Sequence, residues 1–139
     1  MSNYQFEAYT SIKVRSGNDF TFAFGRKIPG YMIYGGYKRK WNKALDVVIP
    51  DPPDDWNNEQ VIYALIISVL KPKQRGFDDD NFRHGCKPIP DHLKKRGWLK
   101  EDTRKWFVCS YEQIKWKEAA KAGYEKPGTY IKIVKPGII

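Results

Sequence analysis

The longest apolar stretch of the chain runs from residue 61 to residue 70. It is apolar at successive positions and rich in β-branched residues, so both faces of an extended segment would be apolar. Strands of this kind are typical of the middle of a sheet, where both faces are covered. The pattern therefore predicts a central strand over Val61 to Leu70, with the core built on it.

Alternating apolar and polar positions predict further strands. Residues 4–14 alternate, a turn follows at 16–19, and residues 20–24 alternate again, which predicts a hairpin. Residues 103–114 form another alternating segment, and a last strand is predicted over 129–134.

Apolar residues at helical spacing predict an amphipathic basic helix over residues 37–48, with Trp41, Leu45 and Val48 on its apolar side. The preceding stretch, 25–37, is rich in glycine and tyrosine and is predicted to be a loop.

A second helix is predicted after Asn81, because apolar residues recur at helical spacing along one side: Phe82, Cys86, Ile89 and Leu93. Two prolines follow Lys87 and lack the N–H that an unbroken helix uses, so we expect a kink or restart there. Cations at 94–96 and Gly97 mark the end of this helix.

Together these segments predict one α+β domain over residues 1–139, with a central mixed β-sheet flanked by helices. A proline-rich acidic connector lies at 49–58, and residues 116–124 fit either a short helix or a loop.

Composition narrows the class of protein. The chain has 139 residues, 41% of them hydrophobic, which suits one globular domain. Cys86 and Cys109 form no disulfide framework or CxxC motif, and the apolar run is too short to span a bilayer. We therefore expect a cytoplasmic protein with no membrane partner.

The charge balance favours a polyanionic partner. Lys and Arg number 25 against 16 Asp and Glu, a formal net charge of +9. Basic segments that could contact phosphates lie in the predicted helix and in the loop after the central strand: Lys38, Arg39 and Lys40, then Lys71, Lys73 and Arg75. For the basic helix, a solvated surface face is the alternative interpretation.

Three adjacent carboxylates, Asp78 to Asp80, directly follow this basic loop. In an extended segment side chains alternate, so Asp78 and Asp80 would share one face. Two carboxylates on one face suit Mg²⁺, which takes oxygen ligands and keeps several waters. The alternative is a solvated acidic turn that caps the next helix.

The order of these features resembles a known family. A buried strand, a basic loop, Asp78-Asp79-Asp80-Asn81, then Lys87-Pro88, then residues 97–102 with Glu101-Asp102 are together similar to the RusA-like Holliday-junction resolvases of phages and prophages. The resemblance covers about residues 61–102 and is fainter over 111–134. Five residues separate Asn81 from Lys87, more than in the family's pattern, so the chain resembles a variant branch.

The resemblance implies a metal-dependent endodeoxyribonuclease that resolves four-way DNA junctions in recombination and repair as a homodimer. Asp78, Asp80 and Asp102 would bind Mg²⁺, or Mn²⁺ in its place. Lys87 would be the catalytic lysine, with His84, which stands at the shorter spacing, as the alternative.

Other functions stay open. One is a non-catalytic DNA- or RNA-binding protein whose acidic cluster only caps a helix, and another is a nuclease that acts on flaps or forks. The second carboxylate pair, Glu101-Asp102, favours the enzyme, because a binding module has no use for it beside a phosphate.

Overall fold

The fold is built on a four-stranded sheet in a computed structural model that describes residues 3–21 and 30–137. The strands are β1 (Tyr4–Thr10), β2 (Ile62–Leu70), β3 (Phe107–Lys115) and β4 (Gly128–Val134). Their spatial order is β1-β4-β2-β3, with β2 parallel to β3 and antiparallel to β4, and β1 antiparallel to β4.

Helices pack on both faces of this mixed sheet. They are α1 (Asn18–Thr21), α2 (Gly30–Val48), α3 (Asp79–Gly85), α4 (Pro88–Arg96) and α5 (Trp116–Lys121). The predicted α+β fold, a central mixed sheet flanked by helices, is confirmed. Within the described ranges no helix is both long and apolar enough to cross a membrane.

The main core lies between β2 and the helices α2 and α4. Trp41 and Leu45 of α2, Ile89 and Leu93 of α4, and Ile66 of β2 are fully buried in one cluster. The apolar residues that predicted these helices therefore face the sheet, as amphipathic helices require.

The opposite face of the sheet is covered less completely. Ile67 and Val69 pack there against Ala119 of α5, whereas Tyr63 near the start of β2 is exposed. The prediction of a central strand is confirmed, but β2 is covered on both faces only towards its carboxyl end.

The predicted hairpin is wrong where it can be checked. Phe20 lies in the helix α1, and its ring contacts Tyr34 and Tyr37 of α2 with centroid distances of 5.0 Å each. Residues 22–24 of the prediction lie outside the described residues. This aromatic packing explains why an alternating pattern here does not pair as a strand.

The predicted loop over 25–37 is wrong from residue 30 onwards, because α2 begins at Gly30; residues 25–29 lie outside the described part of the chain. The hydroxyl of Tyr37 donates to Gly85 O at 2.6 Å and accepts from Arg15 N at 3.1 Å. Contacts with distant segments thus stabilise a helix that its glycines disfavour locally.

The break near Lys87 is confirmed, with Gly85 ending α3, Cys86 as its C-cap and Pro88 beginning α4. Pro88 fits there because first-turn N–H groups need no helical partner. The predicted end of the helix is also confirmed, since Gly97 adopts φ 97°, a left-handed conformation that glycine accepts readily. β3 begins at Phe107, four residues after the predicted Thr103, because Trp106 and Phe107 both donate to Thr103 O in a turn.

Candidate active site

One cavity brings together residues from α3, α4, β3 and the loop after α4. This cavity, the carboxylate pocket, has a volume of about 320 Å³ and is lined by Asp80, Arg83, His84, Lys87, Pro90, Asp102 and Tyr111. Three of the four predicted catalytic residues, Asp80, Lys87 and Asp102, therefore meet at one place.

The start of α3 differs from the extended segment that the sequence predicted. Asp78 is the N-cap, and its carboxylate accepts hydrogen bonds from Asn81 N at 2.9 Å and Asn81 Nδ2 at 3.0 Å. An aspartate in this position satisfies a backbone N–H that the helix leaves unpaired. Asp79 and Asp80 are helical, so Asp78 and Asp80 do not alternate along a strand, and Asp78 is not among the residues that line the pocket.

Helical spacing accounts for one wall of the pocket. Asp80, Arg83, His84 and Lys87 are related by steps of three and four residues, which places side chains on one side of a helix. Arg83 was not among the predicted site residues. If the helix is predicted to begin at residue 79 instead of after Asn81, its spacing places Arg83 on the same side as Asp80.

α3 is attached to the amino-terminal part of the chain through its backbone. Asn81 O accepts from Gly17 N at 3.0 Å, and a Cβ on Gly85 would lie 1.8 Å from Arg15 O. A glycine is needed at position 85 because no side chain fits this close approach. The helix that carries Asp80 is thereby fixed against the chain after β1.

Asp102 reaches the pocket because the loop after α4 is anchored at Trp98. The Trp98 indole donates to Pro50 O at 2.8 Å, and its ring contacts Phe6 and Trp56 with centroids 4.9 and 4.8 Å away. The end of α4 is fixed as well, since Arg96 donates to Ile49 O at 2.6 Å.

The two carboxylates of Glu101-Asp102 diverge. Asp102 lines the pocket, whereas Glu101 pairs with Lys94 at 2.8 Å on the surface. The hydrogen bond to Glu101 raises the pKa of Lys94. Glu101 is thus engaged outside the pocket, and Asp102 alone of this pair contributes a carboxylate to it.

Lys87 is surrounded by acidic groups. Its Nζ lies 3.6 Å from Asp102 Oδ2 and 3.5 Å from Asp91 Oδ1, and Lys38 Nζ lies 3.6 Å from Asp91 Oδ2. Lys87 is 53% exposed, and exposed ion pairs contribute only about 0–1 kcal/mol. The ammonium group can therefore change partners when another anion enters the pocket.

A divalent cation fits part of the predicted ligand set. Among residues 3–21 and 30–137, no group of three or more His, Cys, Asp or Glu residues is arranged to hold a metal ion. Two carboxylates, Asp80 and Asp102, do line one cavity, and Mg²⁺ is usually bound by one or two carboxylates with waters and substrate phosphates. The donor chemistry suits Mg²⁺ through this pair, and Asp78 as a third ligand stays a prediction.

A second cleft adjoins the carboxylate pocket and shares Arg83, Asp102 and Tyr111 with it. It has a volume of about 420 Å³ and also includes Arg104. The Arg83 guanidinium lies 5.0 Å from the centroid of the Tyr111 ring. Asp102 thus stands between two cavities, each bordered by arginine.

Neither Cys109 nor Tyr111 supplies an anionic group to these two cavities. Burial raises the pKa of Cys109 to about 12 and raises the pKa of Tyr111 well above its usual range. Both groups stay neutral near pH 7, and a neutral thiol is a poor nucleophile. The charged groups of these cavities are the carboxylates, Lys87 and the arginines.

The predicted phosphate-binding residues fall into two regions. α2 carries Lys38, Arg39 and Lys40. Lys38 pairs with Asp91 beside the carboxylate pocket. Arg75 is exposed in the loop after β2. Lys71 and Lys73 border a separate cavity, the lysine groove, lined by Lys71, Pro72, Lys73, Gln74, Lys115, Trp116, Lys117 and Glu118.

Neither a comparison with protein-family models nor one with curated proteins finds a match to this chain. The RusA-like resemblance therefore stays a prediction. The function is therefore inferred from the residues that line the carboxylate pocket and the lysine groove.

Proposed function

We propose that this protein is a metal-dependent endodeoxyribonuclease that cleaves four-way DNA junctions by phosphodiester hydrolysis. The observation that carries the proposal is the meeting of Asp80, Lys87 and Asp102 in one pocket. These residues come from different segments of the chain, and their types are those that phosphoryl chemistry requires.

Each residue has a defined task in this proposal. Asp80 and Asp102 would hold Mg²⁺ or Mn²⁺, which supplies an activated water and neutralises charge on the phosphoryl oxygens. Lys87 would leave Asp102 and donate hydrogen bonds to phosphate oxygens as charge develops on them. His84 lines the same pocket and is the alternative for this role.

The junction as substrate and the homodimer rest on the family resemblance. Resolving a junction requires two cuts, and the described chain offers one carboxylate pocket, so two copies would each make one cut. A DNA substrate also makes the cytoplasm the expected location. Flaps and forks are alternative substrates with the same chemistry.

A non-catalytic nucleic-acid-binding protein is the second candidate. It is favoured by the charge balance of the pocket, where Lys87 pairs with both Asp91 and Asp102. Asp78, one of the predicted metal ligands, also caps α3, a role that needs no metal.

The deciding experiment is incubation of the protein with labelled four-way junction, flap and linear duplex, with and without Mg²⁺ or Mn²⁺. We expect metal-dependent cleavage of the junction, which Asp102→Asn abolishes without loss of junction binding. Glu101→Gln is the matched control, because it removes the neighbouring carboxylate that pairs with Lys94 on the surface. Junction binding without cleavage by the wild-type protein in either metal would establish the second candidate.

A further inference from the structure

The lysine groove lies where two parallel strands end side by side. Leu70, the last residue of β2, pairs in register with Lys115, the last residue of β3. The residues that follow, Lys71 and Trp116, therefore leave the sheet together. Between them is a cavity of about 660 Å³.

The groove has a strong excess of positive charge. Four lysines and one carboxylate, Glu118, line it: Lys71, Lys73, Lys115 and Lys117. All four lysines are exposed, and none forms an ion pair with a carboxylate in the described part of the chain. An anionic ligand would thus bind these lysines without first displacing a carboxylate.

Trp116 gives this groove an aromatic surface. Its side chain is 41% exposed, and within the described ranges no aromatic ring or cation stacks on it. Trp106, at the other end of β3, differs, since Lys100 and Lys105 lie 4.8 and 5.3 Å from its ring centroid. An exposed indole beside unpaired lysines is the combination that binds single-stranded nucleic acid by stacking and charge.

The turn that carries two of the lysines is fixed in position. Gln74 N donates to Lys71 O at 3.0 Å, and Lys71 N donates to Gln74 Oε1 at 2.9 Å. Within this turn Lys73 has φ 67°, a left-handed conformation that is uncommon outside glycine. Residues persist in such conformations when surrounding contacts hold them, often at binding sites.

We propose that the lysine groove binds an unpaired DNA strand, with a base stacked on Trp116 and the neighbouring phosphates on the lysines. The inference rests on the nucleic-acid partner of the proposed function and specifies a second contact for it. It does not depend on cleavage.

The groove and the carboxylate pocket lie along the same strand. Tyr111 lines the pocket and Lys115 lines the groove, and both belong to β3. Four residues of strand span about 13 Å, which is about four times the 3.4 Å rise per nucleotide along one strand of duplex DNA. A strand held in the pocket would reach Trp116 within a few unpaired nucleotides.

The test is binding of fluorescein-labelled oligothymidylate of about 15 nucleotides, followed by anisotropy, to the full chain without metal. We expect Trp116→Ala to weaken binding about 5- to 150-fold, the range found when a stacked base loses its aromatic partner. Lys115→Gln should reduce the slope of log K against log salt by about 0.7.

Trp106→Ala is the matched control, because it removes a tryptophan that already has lysine partners at the opposite end of β3. Equal weakening in both tryptophan variants, or no binding of oligothymidylate, would overturn the proposal. So would equal competition by polyglutamate of the same charge, which would mean that charge alone is recognised.

Junction cleavage in Mg²⁺ is measured on the same samples, so the two proposals can fail separately. Oligothymidylate binding that depends on Trp116 supports this inference even in a protein that cleaves nothing. Cleavage without that dependence supports the nuclease and rejects the groove.

Discussion

The carboxylate pocket and the lysine groove differ in whether their lysines are paired with carboxylates. In the pocket Lys87 pairs with Asp91 and Asp102, so the cation and the carboxylates compensate each other. In the groove the lysines have no acidic partner in the described chain. The groove therefore carries four of the chain's cations without an acidic partner in the described residues, whereas the cation of the pocket is paired.

This difference predicts different binding behaviour. A ligand in the pocket must exchange existing ion pairs for new ones, which suits a site that selects a metal ion together with a phosphate. A ligand in the groove meets free ammonium groups, so its binding should respond directly to salt.

The two regions are joined by Gln113. Its side chain accepts from Phe77 N at 2.8 Å and donates to Phe77 O at 2.7 Å, and so attaches the loop between the groove and Asp78 to β3. Gln113 holds this loop much as a neighbouring strand would.

The largest expected effect tests the role of the paired lysine. Lys87→Ala should slow junction cleavage about 10²- to 10³-fold, or roughly 2.7–4 kcal/mol, as for the loss of another donor to a developing anion. Single-turnover cleavage with saturating Mg²⁺ measures the effect. His84→Ala is the companion variant, and a larger loss there than in Lys87→Ala would transfer the role to His84.

The next effect tests metal binding without any activity assay. At a Mg²⁺ concentration a hundred times its Kd, stability should rise by about 2.7 kcal/mol, measured as an increase in Tm. Asp80→Asn should remove this rise.

If Asp80 and Asp102 alone hold the ion, Asp78→Asn should keep the rise, because asparagine caps a helix as well as aspartate does and the Asp78 carboxylate is already bonded to Asn81. Loss of the rise in this variant would instead make Asp78 a metal ligand.

A smaller effect tests the connection between the two regions. Gln113→Ala removes two hydrogen bonds to Phe77 and should lower the free energy of unfolding by about 1–3 kcal/mol, measured by urea denaturation. Gln113→Glu keeps an acceptor for Phe77 N but loses the donor to Phe77 O, so it should retain part of this stability. Equal stability of all three proteins would mean that the loop is held by other contacts.

The smallest effect compares a paired lysine with an unpaired one. Lys71→Gln should reduce the log–log salt slope of junction binding by about 0.7 to 0.9, the single-strand and duplex values, if Lys71 contacts one phosphate. Lys38→Gln should change the slope less, because Lys38 already pairs with Asp91. Equal changes in the two variants would contradict the distinction between the regions.

Several elements follow from local sequence alone. The apolar run at 61–70 is β2, and the helical spacing of Ile89 and Leu93 is the buried side of α4. The end of α4 at Gly97 was equally predictable, because a left-handed residue there is a requirement of the backbone itself. Such features depend on residues that are close together in the chain, so a sequence pattern predicts them.

The sequence also contained the residues of the pocket, but the tertiary structure decided how they are used. The first turns of α2 are helical where the sequence predicted a loop, and Tyr34 and Tyr37 there pack against Phe20. Asp102 lines the same pocket as Asp80, and the loop that carries it is anchored by Trp98 to Pro50. At the start of α3, Asp78 caps the helix and is not among the residues that line the pocket, whereas Asp80 is. Most of these outcomes depend on contacts between residues far apart in the chain, whose energies outweigh local preference and leave no periodic signal in the sequence.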